Sequence, residues 1–92
     1  MEFTHDKFGK CVLKSLTQKM LEDFHLDMVG KEKGPLSVWR GDSVRVFVKH
    51  EFMLEPKWTV EDVNNANPGH IVWLSDCIGK LIAEAMHLDP LS

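Results

Sequence analysis

Apolar residues recur along this chain with two different periods. Phe8, Val12, Leu13, Leu16, Met20 and Phe24 are spaced so that they gather on one side of a helix over 4–24. Thr4 stands where a cap belongs, and Asp6 in the first turn suits the helix dipole. Lys7, Lys10 and Lys14 fall together on the opposite side. Gly9 weakens such a helix by about 1 kcal/mol relative to Ala. Ser15-Leu16-Thr17-Gln18 is also a capping-box pattern, from which a shorter helix would start after a strand. The longer helix is preferred.

The period then changes. Gly30 to Pro35 holds two Gly, a Pro and three charges and is expected to be a loop. Residues 36–40 and 43–52 read as the two strands of a hairpin turning at Gly41-Asp42, because Val44, Val46 and Val48 place a β-branched side chain at every second position. Glu55-Pro56 ends the second strand. Residues 57–60 are either a short third strand or the approach to a helical turn at Thr59-Val60-Glu61-Asp62, and 64–67 has loop composition. Asn67-Pro68 then supplies an N-cap followed by Pro at the first helical position. Ile71, Leu74, Ile78, Leu81, Ile82 and Ala85 share one face of the helix that follows, which runs to about His87. The expected fold is α+β in one domain over 1–92. An N-terminal helix leads to an antiparallel β-hairpin or three-stranded sheet and then a C-terminal helix, with both helices on one sheet face.

Composition supports a packed core, since 43% hydrophobic and 27% charged residues is ordinary for globular chains and far from the disordered range. The net charge of −3 argues against wholesale polyanion binding. Its distribution is uneven: −1 over 1–30, +2 over 31–58 and −4 over 59–92. Cys11 and Cys77 lie outside any CxxC spacing, Glu2, His5 and Asp6 interrupt any signal-peptide pattern, and no apolar run is long enough to span a bilayer. A cytoplasmic protein with reduced thiols, and without a membrane partner, is the economical expectation.

No catalytic signature occurs: there is no HExxH, GxSxG, Walker-type glycine loop, CxxC pair or GxGxxG. The five His, at 5, 25, 50, 70 and 87, are scattered outside zinc-ligand spacing, so neither metal nor cofactor is expected. His25 with Asp27, or His50 with Glu51, is a candidate local pair. Cys11 and Cys77 are each placed at the edge of an apolar helix face, where a free Cys behaves as a small hydrophobe; a reactive thiol would need a cation such as Lys10 or Lys80 nearby. Arg40-Gly41-Asp42 spells an adhesion tripeptide, but turn geometry explains Gly-Asp between two strands.

Five residues stand out because the expected fold does not need them. Trp73 falls on the charged side of the C-terminal helix, and Trp is the residue most enriched at binding hot spots. With the valines of the hairpin facing the core, Arg45, Phe47 and Lys49 face outward, and a three-residue turn puts Trp39 beside Phe47. Trp39, Arg45, Phe47 and Lys49 would form a basic aromatic platform, suited to a protein partner or to stacked bases and phosphates. Lys7, Lys10 and Lys14 are candidate phosphate contacts.

The expected function is that of a small non-enzymatic protein docking on a larger protein or nucleoprotein complex. An inhibitor of a host defence complex, carried by a phage or other mobile element, suits the chain's size and lack of chemistry. A nucleic-acid-binding module is the alternative. The helix–sheet–helix order resembles the double-stranded RNA-binding domain in topology alone, without that family's lysine cluster at the start of the last helix. A homodimer mate is a further candidate partner, and a small Cys or His enzyme ranks last.

Overall fold

Hydroxyl and amide caps set where the helices begin. The computed structural model describes residues 1–29 and 36–86, with side chains described from Arg40 onward in the second stretch. Its elements are β1 (Glu2–His5), β2 (Gly9–Leu13), α1 (Gln18–Met28), α2 (Leu36–Lys49), β3 (Met53–Glu55), α3 (Val60–Asn64) and α4 (Pro68–Met86). Thr17 caps α1, its Oγ1 accepting from the Met20 amide at 3.2 Å. Thr59 caps α3 in a full capping box, in which Asp62 accepts from the Thr59 amide at 2.8 Å. Asn67 Oδ1 accepts from the Gly69 amide at 2.8 Å at the start of α4, and Pro68 occupies the first helical position, where no amide is needed.

The chain is α+β, with a three-stranded antiparallel sheet in the order β1-β2-β3. The strands nevertheless come from other segments than expected. The first half of the apolar stripe assigned to an N-terminal helix over 4–24, Phe8, Val12 and Leu13, belongs to a β-hairpin, in which β1 pairs with β2 in a register that sets Phe3 against Cys11 and His5 against Gly9. Burial along β2 alternates, with Cys11 and Leu13 enclosed between exposed Lys10 and Lys14. Gly9 has φ +85°, a left-handed conformation that no helix accepts, so the residue that weakened the helix marks the turn. His5 Nδ1 closes that turn by accepting from the amides of Lys7 at 3.0 Å and Phe8 at 3.3 Å. The first helix starts only at Gln18.

The larger correction concerns 36–49. This segment is a helix, not a hairpin, and Arg40-Gly41-Asp42 lies inside it instead of forming a turn. Val44 and Phe47 are wholly enclosed and Val48 half-buried, a spacing of three and four; Gly41, Ser43 and Val46 are buried as well. α2 packs against α4, α1 and α3, so most of its circumference is covered. Its open side is narrow, marked by Asp42, Arg45 and Lys49 at helical spacing, and three valines at alternate positions outweigh that signal and imitate a strand. Their small preference for strands is outweighed by burial, worth about 1.5–3 kcal/mol for each enclosed apolar side chain.

The core joins one face of the sheet to the helices. Cys11, Leu13 and Met53 meet Val44, Phe47, Phe52, Leu74, Ile78 and Leu81 in one cluster. Residues of the opposite sheet face, Glu2, Thr4 and Lys10, are exposed. The apolar face expected for α4 is largely observed: Ile71, Leu74, Ile78 and Leu81 are buried, with Ile82 and Ala85 half-buried. The loop expected over Gly30–Pro35 and the helix end at His87 lie outside the described residues. No described helix is long and apolar enough to cross a membrane.

Candidate functional site

The basic aromatic platform is not assembled. Phe47 is 0% exposed at the centre of the core, with its ring edge-on to Phe24 at 5.3 Å and to Phe52 at 5.5 Å. Because α2 is helical, Phe47 lies on the opposite side of it from Arg45 and Lys49. Arg45 points elsewhere, donating to Asp42 at 3.0 Å and to Asn64 of α3 at 2.9 Å, which ties α2 to α3. Its guanidinium also lies over Gly41, where a Cβ would come within 3.2 Å of Nη1. Lys49 is exposed and reaches Asp27 at 3.3 Å. The Trp39 side chain lies outside the described residues.

Trp73 is likewise occupied within the chain. The charged side of α4 on which it was placed is where the tip of the β1–β2 hairpin packs, so the indole is half-buried against His5 at 5.3 Å and Phe8 at 6.2 Å. His70 completes this cluster, stacked on Phe8 at 4.5 Å and edge-on to Trp58 at 4.8 Å. His70 Nε2 is buried without a hydrogen-bond partner. Burial, and secondarily the nearness of His5, push the His70 imidazole below its ordinary value, because a cation here would be neither hydrated nor paired.

The three lysines proposed as one stripe are separated by the hairpin. Lys7 sits over the Phe8 ring at the turn, Lys10 pairs with Glu2 at 3.3 Å on the outer sheet face, and Lys14 follows β2. Since no helix runs through 7–14, these residues do not form a helical row.

Neither expected local His pair forms. His50 Nε2 instead meets Asp27 Oδ2 at 2.7 Å, joining the end of α2 to the end of α1. The Asp27 carboxyl is held below its ordinary value by hydrogen bonds from His50 and then Lys49. Among the described residues this pair bonds to each other and to Lys49, and no Ser, Thr or Cys joins it. Among the described residues, too, no group of three His, Cys, Asp or Glu could hold a metal ion.

Cys11 lies on β2 and not on a helix; Cys77 is on α4, as expected. Both thiols are free and enclosed. Burial and the neighbouring Cys77 push Cys11 up to about 12. Lys10 and Lys80 were the candidate cations. Lys80 does favour the Cys77 thiolate, but burial dominates and its thiol too is pushed up.

An apolar groove of about 610 Å³ lies between α1 and the C-terminal part of α4. Leu21, Phe24, Leu26, Met28, Ile82 and Met86 line it, with Glu22 and His25 among its few polar groups. Leu26 is 69% exposed and Met86 67%, and Val29 beside them is 60% exposed. None of these was singled out from the sequence. The signal was present, because Leu21, Phe24, Leu26, Met28 and Val29 are more apolar residues than one buried stripe of a three-turn helix can use.

The class that fold and surface define is a small α+β domain with an apolar inter-helix groove. No family model, curated protein or solved structure matches this chain.

Proposed function

We propose that this chain is a non-enzymatic binding protein whose contact surface is the α1–α4 groove, and that the groove receives an apolar helical segment of a larger protein. The observation that carries this reading is the exposure of Leu26, Val29 and Met86 beside one groove, since large apolar side chains gathered in the open mark interaction sites. An apolar trough between two helices can accept the side-chain ridge of a third. Among the described residues the lining includes no Lys or Arg, which favours protein over nucleic acid; Glu22 at the edge suits a partner whose flank is basic. An inhibitor or adaptor, including one carried by a mobile element against a host complex, would act through such a surface.

The test compares wild type with Leu26→Glu and Met86→Glu, and with Lys10→Ala plus Lys14→Ala, as immobilised baits in extract of the native host. Sedimentation of the purified chain is measured in parallel. The expected result is one protein retained by wild type and by the lysine variant but lost from both groove variants, with all four equally folded by circular dichroism. Retention unaffected by the groove variants, steeply salt-dependent nucleic-acid binding lost in the lysine variant, or self-association abolished by Leu26→Glu would each overturn it.

A further inference from the structure

Cys11 and Cys77 stand 66 positions apart in sequence, yet both belong to the same enclosed cluster, at 0% and 2% exposure. β2, which carries Cys11, packs directly on α4, which carries Cys77. The two thiols are close enough to shift each other's ionisation, Cys77 raising Cys11 and Cys11 favouring the Cys77 thiolate. Two neighbouring thiols on a strand and a helix that pack directly together are the starting point for an intrachain disulfide. The usual reason for burying one Cys, that it fills space as a small hydrophobe, does not require the second to face it.

We propose that Cys11 and Cys77 are an oxidisable dithiol, and that a small-molecule disulfide converts them into an internal bridge bolting the β1–β2 hairpin to α4. With glutathione disulfide the step balances. One cysteine thiolate attacks the glutathione disulfide, releasing one glutathione thiolate and leaving a mixed disulfide; the second cysteine attacks the protein sulfur of that bond, expelling the other glutathione. The two protons lost by the cysteines end on the two glutathione molecules. Burial raises both thiols, but Cys11 and then Lys80 favour the Cys77 thiolate, whereas Cys11 is pushed up to about 12, so Cys77 attacks first. Because both sulfurs are enclosed and protonated, the first step waits for a local opening of the hairpin, and the folded chain oxidises slowly. The bridge closes a long loop and holds the hairpin tip, with His5 and Phe8, against Trp73.

The experiment incubates the full chain with glutathione disulfide at neutral pH, with and without urea well below the unfolding midpoint, and follows intact mass and free thiols. Both thiols are expected to disappear together with the loss of two hydrogens, faster in urea. The product should be a monomer with unchanged circular dichroism and a Tm raised by on the order of 10 °C. Cys11→Ser and Cys77→Ser should each stop at the glutathione adduct, with no internal bridge. Accumulation of glutathione adducts in the wild type, disulfide-linked dimers as the main product, a bridge formed only in fully unfolded chain, or thiols that survive prolonged incubation in urea would each overturn the proposal. None of these readouts depends on a binding partner, so the result is independent of the groove.

Discussion

Replacing Glu51 by Gly distinguishes a helix from a strand over 43–50 by the sign of one stability change. Glu51 follows the end of α2 with φ +59°, in the left-handed region. The amide of Phe52 bonds to the Phe47 carbonyl at 2.9 Å, and that of Glu51 to the Val48 carbonyl at 3.1 Å. These are the two bonds of a Schellman cap, and the Phe47–Phe52 ring contact supplies its apolar clasp. An L-residue with a Cβ pays about 1–2 kcal/mol to sit in the left-handed region. Glycine pays nothing there, but loses about 0.5–1 kcal/mol more chain entropy on folding. Because Glu51 is exposed and makes no side-chain hydrogen bond among the described residues, little else changes. Glu51→Gly should therefore stabilise the chain by about 0.5–1 kcal/mol and raise its Tm by roughly 2–8 °C. Urea unfolding followed by Trp fluorescence measures the difference from the shift in midpoint at constant slope. Glu51→Ala, which keeps the Cβ, should lie within about 0.5 kcal/mol of wild type and separates the backbone effect from the lost charge. Were the valine run a strand, glycine at its end would destabilise by about 0.5–1 kcal/mol. A Glu51→Gly variant less stable than Glu51→Ala refutes the cap.

Other expectations test the core, the caps and the aromatic cluster. Phe47→Ala should cost about 3–5 kcal/mol in urea unfolding, because it empties the space between Phe24 and Phe52, whereas Leu26→Ala on the exposed groove should cost under about 1 kcal/mol. Thr59→Ala should lose about 1 kcal/mol with the α3 capping box, again read from the urea midpoint. His70 is held neutral in the folded chain, so the unfolded chain binds more protons as acidity rises. Stability should be full above the ordinary value of 6.5 and fall as pH drops from there to the lower folded value, a dependence reduced in His70→Phe when Tm is followed from pH 7.5 to 5. Asp27 behaves in the same direction at lower pH. Its contribution is present above the ordinary value of 3.8 and is lost as pH falls through its depressed folded value, and the carbon resonance of its carboxyl should titrate higher in His50→Ala.

Local chemistry was sufficient for some of this structure. Asn67-Pro68 announces α4, and Ile71, Leu74, Ile78 and Leu81 recur at the helical period because that helix has one covered and one open side. Thr59 and Asp62 sit three apart, and a capping box forms from adjacent groups alone. The α+β class was expected from a hairpin over 36–52, but that segment is mostly helix and the sheet is built from 2–5, 9–13 and 53–55. What only the tertiary structure decided is which of two permitted periods each ambiguous segment obeys. Residues 8–13 fit a helical stripe and also alternate as a strand, and the choice went to the strand once Cys11 and Leu13 found Leu74 and Ile78 to pack against. Residues 44–48 alternate in sequence but are a helix, since enclosure by α1, α3 and α4 rewards every apolar side chain whatever its period. The candidate site inherits both decisions. Phe47 is in the core, Trp73 is covered by a hairpin tip, and the apolar residues open at the groove are ones that α1 and α4 do not bury. Propensity and capping act over a few neighbouring residues, whereas which face becomes buried depends on elements tens of residues away, and no local pattern encodes that distance.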